Sequence, residues 1–370
     1  MTAILSSETS ANKGEWSEIY ALIKLLNDGR IYAADENLKH VSENLYLPII
    51  KIRREETNGN IYDYHTSENE ESVVKIFHNG EFIKAISISE FEVQTALLYR
   101  DLSSALPGNI KLCELEGLGA FLNNIFVNKI KADSDHKADI VMEFIDIHTG
   151  FRPLAGFSIK SQMGSPSTLL NPSQATNFIY EVKNIDDSVM QNVNSIKTRN
   201  KIIDRMKCLV ESGAQFQFFK VNNDVFADNL ELIDSCMAEI MSYAMLYRYR
   251  DNIKNSTEII EKLHNDNPLH YRNNQSYRYK YKKLLCASAL GMLPATQWNG
   301  IDEANGGYVI VKNDGDIVAY YLYNRNFFEE YLLKTTYLES GSTTRYNYAR
   351  VYKDNNKYFI NLNLQIRFKA

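Results

Sequence analysis

The sequence predicts an α+β protein: a central mixed β-sheet flanked by helices, followed by a C-terminal part rich in β-hairpins. Three observations carry this. Lys13 to Leu26 places Trp16, Ile19, Tyr20, Ile23 and Leu26 at helical spacing. Val73 to Phe77 and Phe82 to Ile88 flank Asn79-Gly80, a dipeptide that tolerates positive φ at both turn positions and so joins two strands. Ala138 to Ile147 and Leu154 to Gln162 alternate in character on either side of Thr149-Gly150, a second strand pair. With 370 residues, 44% of them hydrophobic, the chain has the material for a large core.

The elements follow in order. Residues 1–12 are polar and without an apolar run, so they read as a flexible start and not as a signal peptide. Gly29 caps the first helix. Residues 45–54 form a strand that ends in Arg53-Arg54-Glu55-Glu56. Two helices, near 89–105 and 114–127, separate the two strand pairs. After the second pair, Gly164-Ser165-Pro166-Ser167-Thr168 opens a polar loop that runs to Asn177. Residues 225–250 carry Leu230, Ile233, Met237, Ile240, Met241 and Met245 and read as one apolar helix. A basic, aromatic segment fills 270–283. Residues 306–368 read as two hairpins around a short helix, with turns at Asn313-Asp314-Gly315-Asp316 and Asp354-Asn355-Asn356. The expected division is a flexible 1–12, a core of 13–222 holding the second strand pair, and a tightly associated helical and hairpin part, 223–370.

Several function classes fall away. Cys113, Cys208, Cys236 and Cys286 are far apart, which suits neither a zinc site nor a disulfide framework. The longest mostly apolar stretch, Leu284 to Leu293, is too short to span a bilayer, so a cytoplasmic protein without a membrane partner is expected. No GxxxxGK[ST] loop exists for a P-loop ATPase. Asn171-Pro172 continues as Ser173-Gln174, and no Gly-rich cofactor loop follows a strand, which argues against a methyltransferase. The net charge of −5 disfavours a passive nucleic-acid coat but allows a local basic groove, because charges act over roughly 10 Å in salt.

The second strand pair carries chemistry. Phe157, Ile159 and Ser161 share one face of the returning strand, and Ser158, Lys160 and Gln162 the other. Asp139 stands at the start of the first strand, with Glu143 on its face, so Asp139 and Lys160 approach each other across the pair. A carboxylate for Mg²⁺ beside a lysine suits phosphodiester hydrolysis: the ion neutralises charge on the phosphate, and the ammonium orients water or stabilises the pentavalent state. This arrangement resembles the PD-(D/E)XK nucleases, with one departure. The acidic position two before the lysine is Ser158, a poor primary metal ligand. Either a second carboxylate comes from elsewhere or a metal site has been lost. Glu15 and Glu18 lie one turn apart on a stripe that continues into Leu22, Leu25 and Leu26, so the first helix offers a replacement. The plain alternative is that these glutamates favour the helix N-terminus through its dipole. His148 in the turn and His136 before Lys137 are further acid–base candidates, with turn chemistry as the alternative.

Three stretches resemble the HpaII family of Type II restriction endonucleases. They are Lys13-Gly14-Glu15-Trp16-Ser17-Glu18 continuing to Leu38, Lys137-Ala138-Asp139-Ile140 leading to Gly156-Phe157-Ser158-Ile159-Lys160-Ser161-Gln162-Met163-Gly164 and on to Phe178, and Lys357 to Phe368. The resemblance thus covers the chain from residue 13 to 368. It implies cleavage of double-stranded DNA at a short palindrome, with CCGG as the prototype target, and a cognate DNA methyltransferase as functional partner. By analogy with the superfamily, Asp139 binds Mg²⁺, Glu15 and Glu18 complete the metal site, Lys160 activates water, and Gln162 or Ser158 positions a water or phosphate oxygen. Ser161, Ser165, Ser167, Thr168, Asn171 and Asn177 offer short donors and acceptors to DNA, with an ordinary polar turn as the alternative. Arg272, Arg278 and Lys280 sit in the acid-free segment and suit the phosphate backbone, or a solvated helix start. A palindromic site suits a two-fold homodimer. The rival reading is a catalytically silent DNA-binding protein on a nuclease-like scaffold, which Ser158 keeps open.

Overall fold

The computed structural model describes residues 5–66, 72–130, 138–147, 149–321, 324–341 and 348–369. The chain begins with β1 (Ser10–Asn12), α1 (Lys13–Asp28), β2 (Arg30–Ala33), β3 (Tyr46–Glu55), β4 (Ile61–His65), β5 (Val73–His78) and β6 (Glu81–Ser87). Next come α2 (Ile88–Ser104), β7 (Asn109–Lys111), α3 (Leu118–Asn124), β8 (Ile140–Phe144) and β9 (Leu154–Ser161). The middle holds β10 (Thr168–Leu170), β11 (Asn177–Lys183), α4 (Asp187–Ser195), α5 (Lys201–Glu211), β12 (Gln215–Val221), α6 (Asp224–Ile233), α7 (Met237–Tyr249), α8 (Ser256–Asp266) and α9 (Gln275–Leu290). The end holds β13 (Gly307–Val311), β14 (Ile317–Tyr320), α10 (Arg325–Thr335), β15 (Thr336–Leu338), β16 (Val351–Asp354), β17 (Lys357–Asn363) and β18 (Ile366–Phe368). The α+β class with a central mixed sheet is as the sequence predicts, and so is the C-terminal pair of hairpins around a helix.

These elements form two units. The first comprises residues through Ser167 together with Asp302–Tyr331, and the second comprises Thr168–Ile301 with Leu332–Lys369. Residue 223, where the sequence reading placed a division, lies inside the second unit. The first unit is built on a nine-stranded sheet in the order β2-β14-β13-β9-β8-β3-β4-β5-β6, and a further β2–β3 pairing ties its far end back to the middle. β13 runs parallel to β9 and β14 parallel to β2, while the other neighbours are antiparallel. The second unit contains a three-stranded sheet, β10-β18-β15, and a four-stranded one, β12-β11-β17-β16.

Helix α1 is the keystone of the first unit. It starts at Asn12, whose Oδ1 accepts from the Glu15 amide at 3.1 Å while Glu15 Oε2 accepts from the Asn12 amide at 2.9 Å. This reciprocal pair satisfies two amides that the first turn leaves open. The helix stops at Gly29, whose φ of 60° few other residues adopt cheaply and whose amide donates to the Leu25 carbonyl at 3.0 Å. Between these caps Trp16, Ile19, Leu22, Ile23 and Leu26 are wholly buried, in one core with Phe157 and Ile159 of β9.

Two local expectations differ from the structure. Residues 10–12 fall within the stretch read as flexible, yet they form β1, because Ala11 is buried and the backbone pairs with Asn109–Lys111. The single helix expected over 225–250 is two, α6 and α7. Asp234 adopts an extended conformation with φ of −166°, and its Oδ1 accepts from the Cys236 amide at 2.9 Å, which turns the chain where hydrophobic periodicity alone runs through.

Candidate active site

The strand pair β8–β9 is antiparallel, with Ile140 opposite Phe157 and Glu143 opposite Leu154. The Asp139 amide donates to the Phe157 carbonyl at 2.8 Å, so the ladder reaches one residue beyond β8 and fixes the carboxylate over the end of β9. Asp139 Oδ2 accepts from the Ile159 amide at 2.6 Å and from Ser158 Oγ at 3.1 Å. Lys160 Nζ lies 3.9 Å from the same oxygen, 3.4 Å from Ser158 Oγ and 3.0 Å from the Ile159 carbonyl. The expected meeting of Asp139 and Lys160 therefore occurs. Ser158, at the position of the missing acid, donates to Asp139. The lysine side chain is 29% exposed and the aspartate 18%, so both reach solvent from a largely enclosed position.

A second carboxylate faces this pair from α1. Burial pushes the Glu18 carboxyl up to about 8, and the charge of Asp139 adds to the shift, while Lys160 and Arg54 oppose it. Glu18 is thus a neighbour of the site and holds its proton in the absence of a cation. Glu15, the other helix carboxylate singled out from the sequence, accepts from the Asn12 amide in the helix cap. The helix-start alternative describes what Glu15 does here, although its charge is still felt at Glu18.

The helix is held against the strand at this end. Ser161 Oγ donates to Ser17 Oγ at 2.8 Å and accepts from the Met163 amide at 3.0 Å. Gly164 lies against the first turn of α1, where an added Cβ would stand in contact, 3.4 Å from the Gly14 amide nitrogen. Arg54, whose charge also reaches Glu18, is itself tied down. Its Nε donates to Glu56 Oε1 at 2.7 Å, and Glu56 Oε2 accepts from the amides of Asn128 and Lys129. Glu143, on the Asp139 face, is taken up by Lys51 at 3.2 Å.

No group of three or more His, Cys, Asp or Glu side chains converges to hold a metal ion among the described residues. The donor set is instead two carboxylates beside a lysine. This fits Mg²⁺, which is held by one or two carboxylates and fills its remaining positions with water and substrate oxygens. Softer metals that need Cys or several His ligands do not fit.

The other expected residues divide. Gln162 is exposed, and its amide continues the β9–β13 ladder by donating to the Val311 carbonyl at 2.9 Å. Ser165 is exposed and Ser167 half-buried in the first unit. In the second unit, Thr168 pairs with Arg367 in β10–β18, and Asn171 and Arg272 are exposed. Asn177 is buried, with its Oδ1 accepting from Asn363 Nδ2 at 2.7 Å, so its side chain holds β11 to β17. Lys280 is ion-paired with Asp234 at 2.8 Å and lies over the Tyr271 ring, while Arg278 is half-buried on α9. His136, Lys137 and His148 lie outside the described residues. The sequence reading missed Arg54, whose charge reaches Glu18. The Arg53-Arg54-Glu55-Glu56 run was visible, but nothing in it tells a buried pair from a solvated one.

The structure thus brings a carboxylate and a lysine together at the joined ends of two strands, with a glutamate of α1 within reach of both charges. A family profile described as HpaII restriction endonuclease matches residues 12–368, and the chain belongs to that family. It is a Type II site-specific deoxyribonuclease, a class whose members generally use divalent metal ions. The silent DNA-binding alternative is thereby set aside. Among curated proteins, the Type II restriction enzyme HpaII of Haemophilus parainfluenzae is 36% identical over 362 residues, covering 97% of this chain and 98% of that protein. No solved structure matches. No helix among the described residues is long and apolar enough to cross a membrane.

Proposed function

We propose that this protein is the nuclease of a cytoplasmic restriction system. It cuts double-stranded DNA at a short palindrome of the CCGG kind, with Mg²⁺, and leaves 5′-phosphate and 3′-hydroxyl ends. The observation that supports this best is the 3.9 Å approach of Lys160 to Asp139, with the Glu18 carboxyl close enough to feel both charges. Asp139 and Glu18 would hold the ion, with Glu18 in the place that the superfamily pattern gives to the residue at Ser158. When bound, the ion neutralises charge on the scissile phosphate and makes a bound water more acidic. Lys160 orients the attacking water and stabilises negative charge on the phosphate. Ser158 keeps Asp139 in its rotamer, and Gln162 stands at the exposed mouth to position a water or phosphate oxygen.

DNA contacts fall to Ser165, Ser167, Thr168 and Asn171, and to Arg272 and Arg278 along the phosphates. The buried Asn177 and the bridging Ser161 act in the scaffold. A palindromic target suits a homodimer, and host DNA calls for a cognate methyltransferase that protects the same site. The test is a digest of unmethylated phage DNA with and without Mg²⁺, followed by sequencing of the fragment ends. Discrete Mg²⁺-dependent fragments that share one palindrome are expected. A smear without common ends, or no cutting across several divalent ions, would overturn the reading.

A further inference from the structure

β13 lies beside the catalytic strand in parallel register, with Tyr308 opposite Ser158 and Ile310 opposite Lys160. Paired residues project to the same face of a sheet, so the Tyr308 side chain stands on the face that carries Ser158 and Lys160. Its ring is fully buried and packs on Phe328, with centroids 4.9 Å apart. Lys160 Nζ lies 5.9 Å from the ring centroid. The Tyr308 hydroxyl is buried and has no hydrogen-bond partner among the described residues. A phenol kept dry and unpaired costs free energy that a phenylalanine would not. Buried Tyr180 and Tyr64, by contrast, donate to the Ser242 and Ile125 carbonyls.

The chain goes to some length to hold Tyr308 there. A Cβ on Gly306 would overlap the Phe157 ring, and one on Gly307 would overlap the Tyr320 carbonyl oxygen. Gly307 also has φ of 131°. Gly306 donates to the Gly156 carbonyl at 2.7 Å, and Asn305 Oδ1 accepts from the Gly156 amide at 2.9 Å. Gly306 thus lets the chain start hard against β9, and Gly307, one residue before Tyr308, lets it close on β14. Burial holds the phenol's pKa well above its usual value, and Tyr331 and then the charge of Asp139 add to the rise.

We infer that Tyr308 is a positioning residue of the nuclease site: its ring seats the Lys160 ammonium, and its hydroxyl donates to an oxygen that enters with substrate or ion. The first role exists in the free protein through the ammonium–ring attraction. The second supplies the partner that the protein itself withholds. This inference rests on the nuclease reading above, and its test separates the two.

Tyr308→Phe removes the hydroxyl and keeps the ring. Its expected signature is a Tm equal to or above wild type, unchanged Kd for the duplex that wild type cuts, and single-turnover cleavage at saturating Mg²⁺ slowed at least tenfold. Cleavage within twofold of wild type would overturn the hydroxyl's role, and so would a loss of rate that merely tracks a lower Tm. Tyr308→Leu removes the ring. In lysine side-chain ¹³C NMR without metal or DNA, the Lys160 Cε signal, assigned by its loss in Lys160→Met, is expected to move. An unmoved signal would overturn the seat. If wild-type protein cuts nothing, the nuclease reading falls, while the Lys160 signal still decides whether the ring holds the ammonium.

Discussion

Glu18 shows how one side chain couples the stability of the site to its chemistry. Its carboxyl holds a proton up to about pH 8 in the folded chain, against 4.5 when free. Between those values the folded state binds more protons than the unfolded one, so stability falls as pH rises from 4.5 through 8. Below 4.5 the contribution is fully present; above 8 it is lost. Glu18→Gln keeps the shape without the titration. We expect its Tm, measured without divalent ions, to exceed that of wild type at pH 8.5 and to converge with it near pH 4.5. Equal Tm differences at both pH values would show that Glu18 is not held protonated. Lys160→Ala tests the neighbouring group. It should lower cleavage by about 10²-fold or more, the scale of one lost electrostatic stabiliser, with specific DNA binding largely intact. Asp139→Asn, which keeps an acceptor for the Ile159 amide, should lose cleavage and the Mg²⁺ dependence of DNA binding alike. A variant of either kind that cuts at the wild-type rate would show the site to be misassigned.

Among the elements, α1, β8, β9 and β13 carry the residues of the proposed site, and each was legible to a different degree. The extent of α1 follows from its periodicity and from Gly29, and the parity of β9 correctly separates Phe157 and Ile159 from Ser158 and Lys160. What parity cannot supply is a partner across the sheet. β13 joins β9 in a parallel crossover, and the pairing of Tyr308 with Ser158 is set by the packing of Gly306 and Gly307 against Phe157 and Tyr320. Gly307→Ala tests that element. It adds a Cβ where the Tyr320 carbonyl already sits, at a φ that side chains rarely adopt. It should destabilise the fold by about 2 kcal/mol or more, read as a shift of the urea midpoint. A midpoint within error of wild type would mean that β13 has room to move.

For the molecule as a whole, sequence order and spatial grouping part company. The nine-stranded sheet takes β13 and β14 from residues 307–320, and β13 is inserted between β9 and β14. A fragment of residues 13–222, the core that sequence order suggests, would leave β9 as an open edge and β2 without its parallel neighbour. We expect that fragment to lack a cooperative thermal transition, or to aggregate through the bare edge. Cooperative unfolding of a soluble monomeric fragment would show that β13 and β14 are dispensable. By itself the sequence determined the class of fold, the caps and faces of α1, and the meeting of Asp139 with Lys160. These depend on local periodicity, turn chemistry and the alternation of a hairpin. Only the tertiary structure decided that Glu15 serves the helix cap while Glu18 lies within reach of the Asp139 and Lys160 charges, that Asn177 bonds to Asn363 and Ser161 to Ser17, and that Tyr308 stands beside Lys160. Those outcomes depend on which surfaces are buried against each other across long stretches of chain, and burial of that kind leaves no local pattern to read.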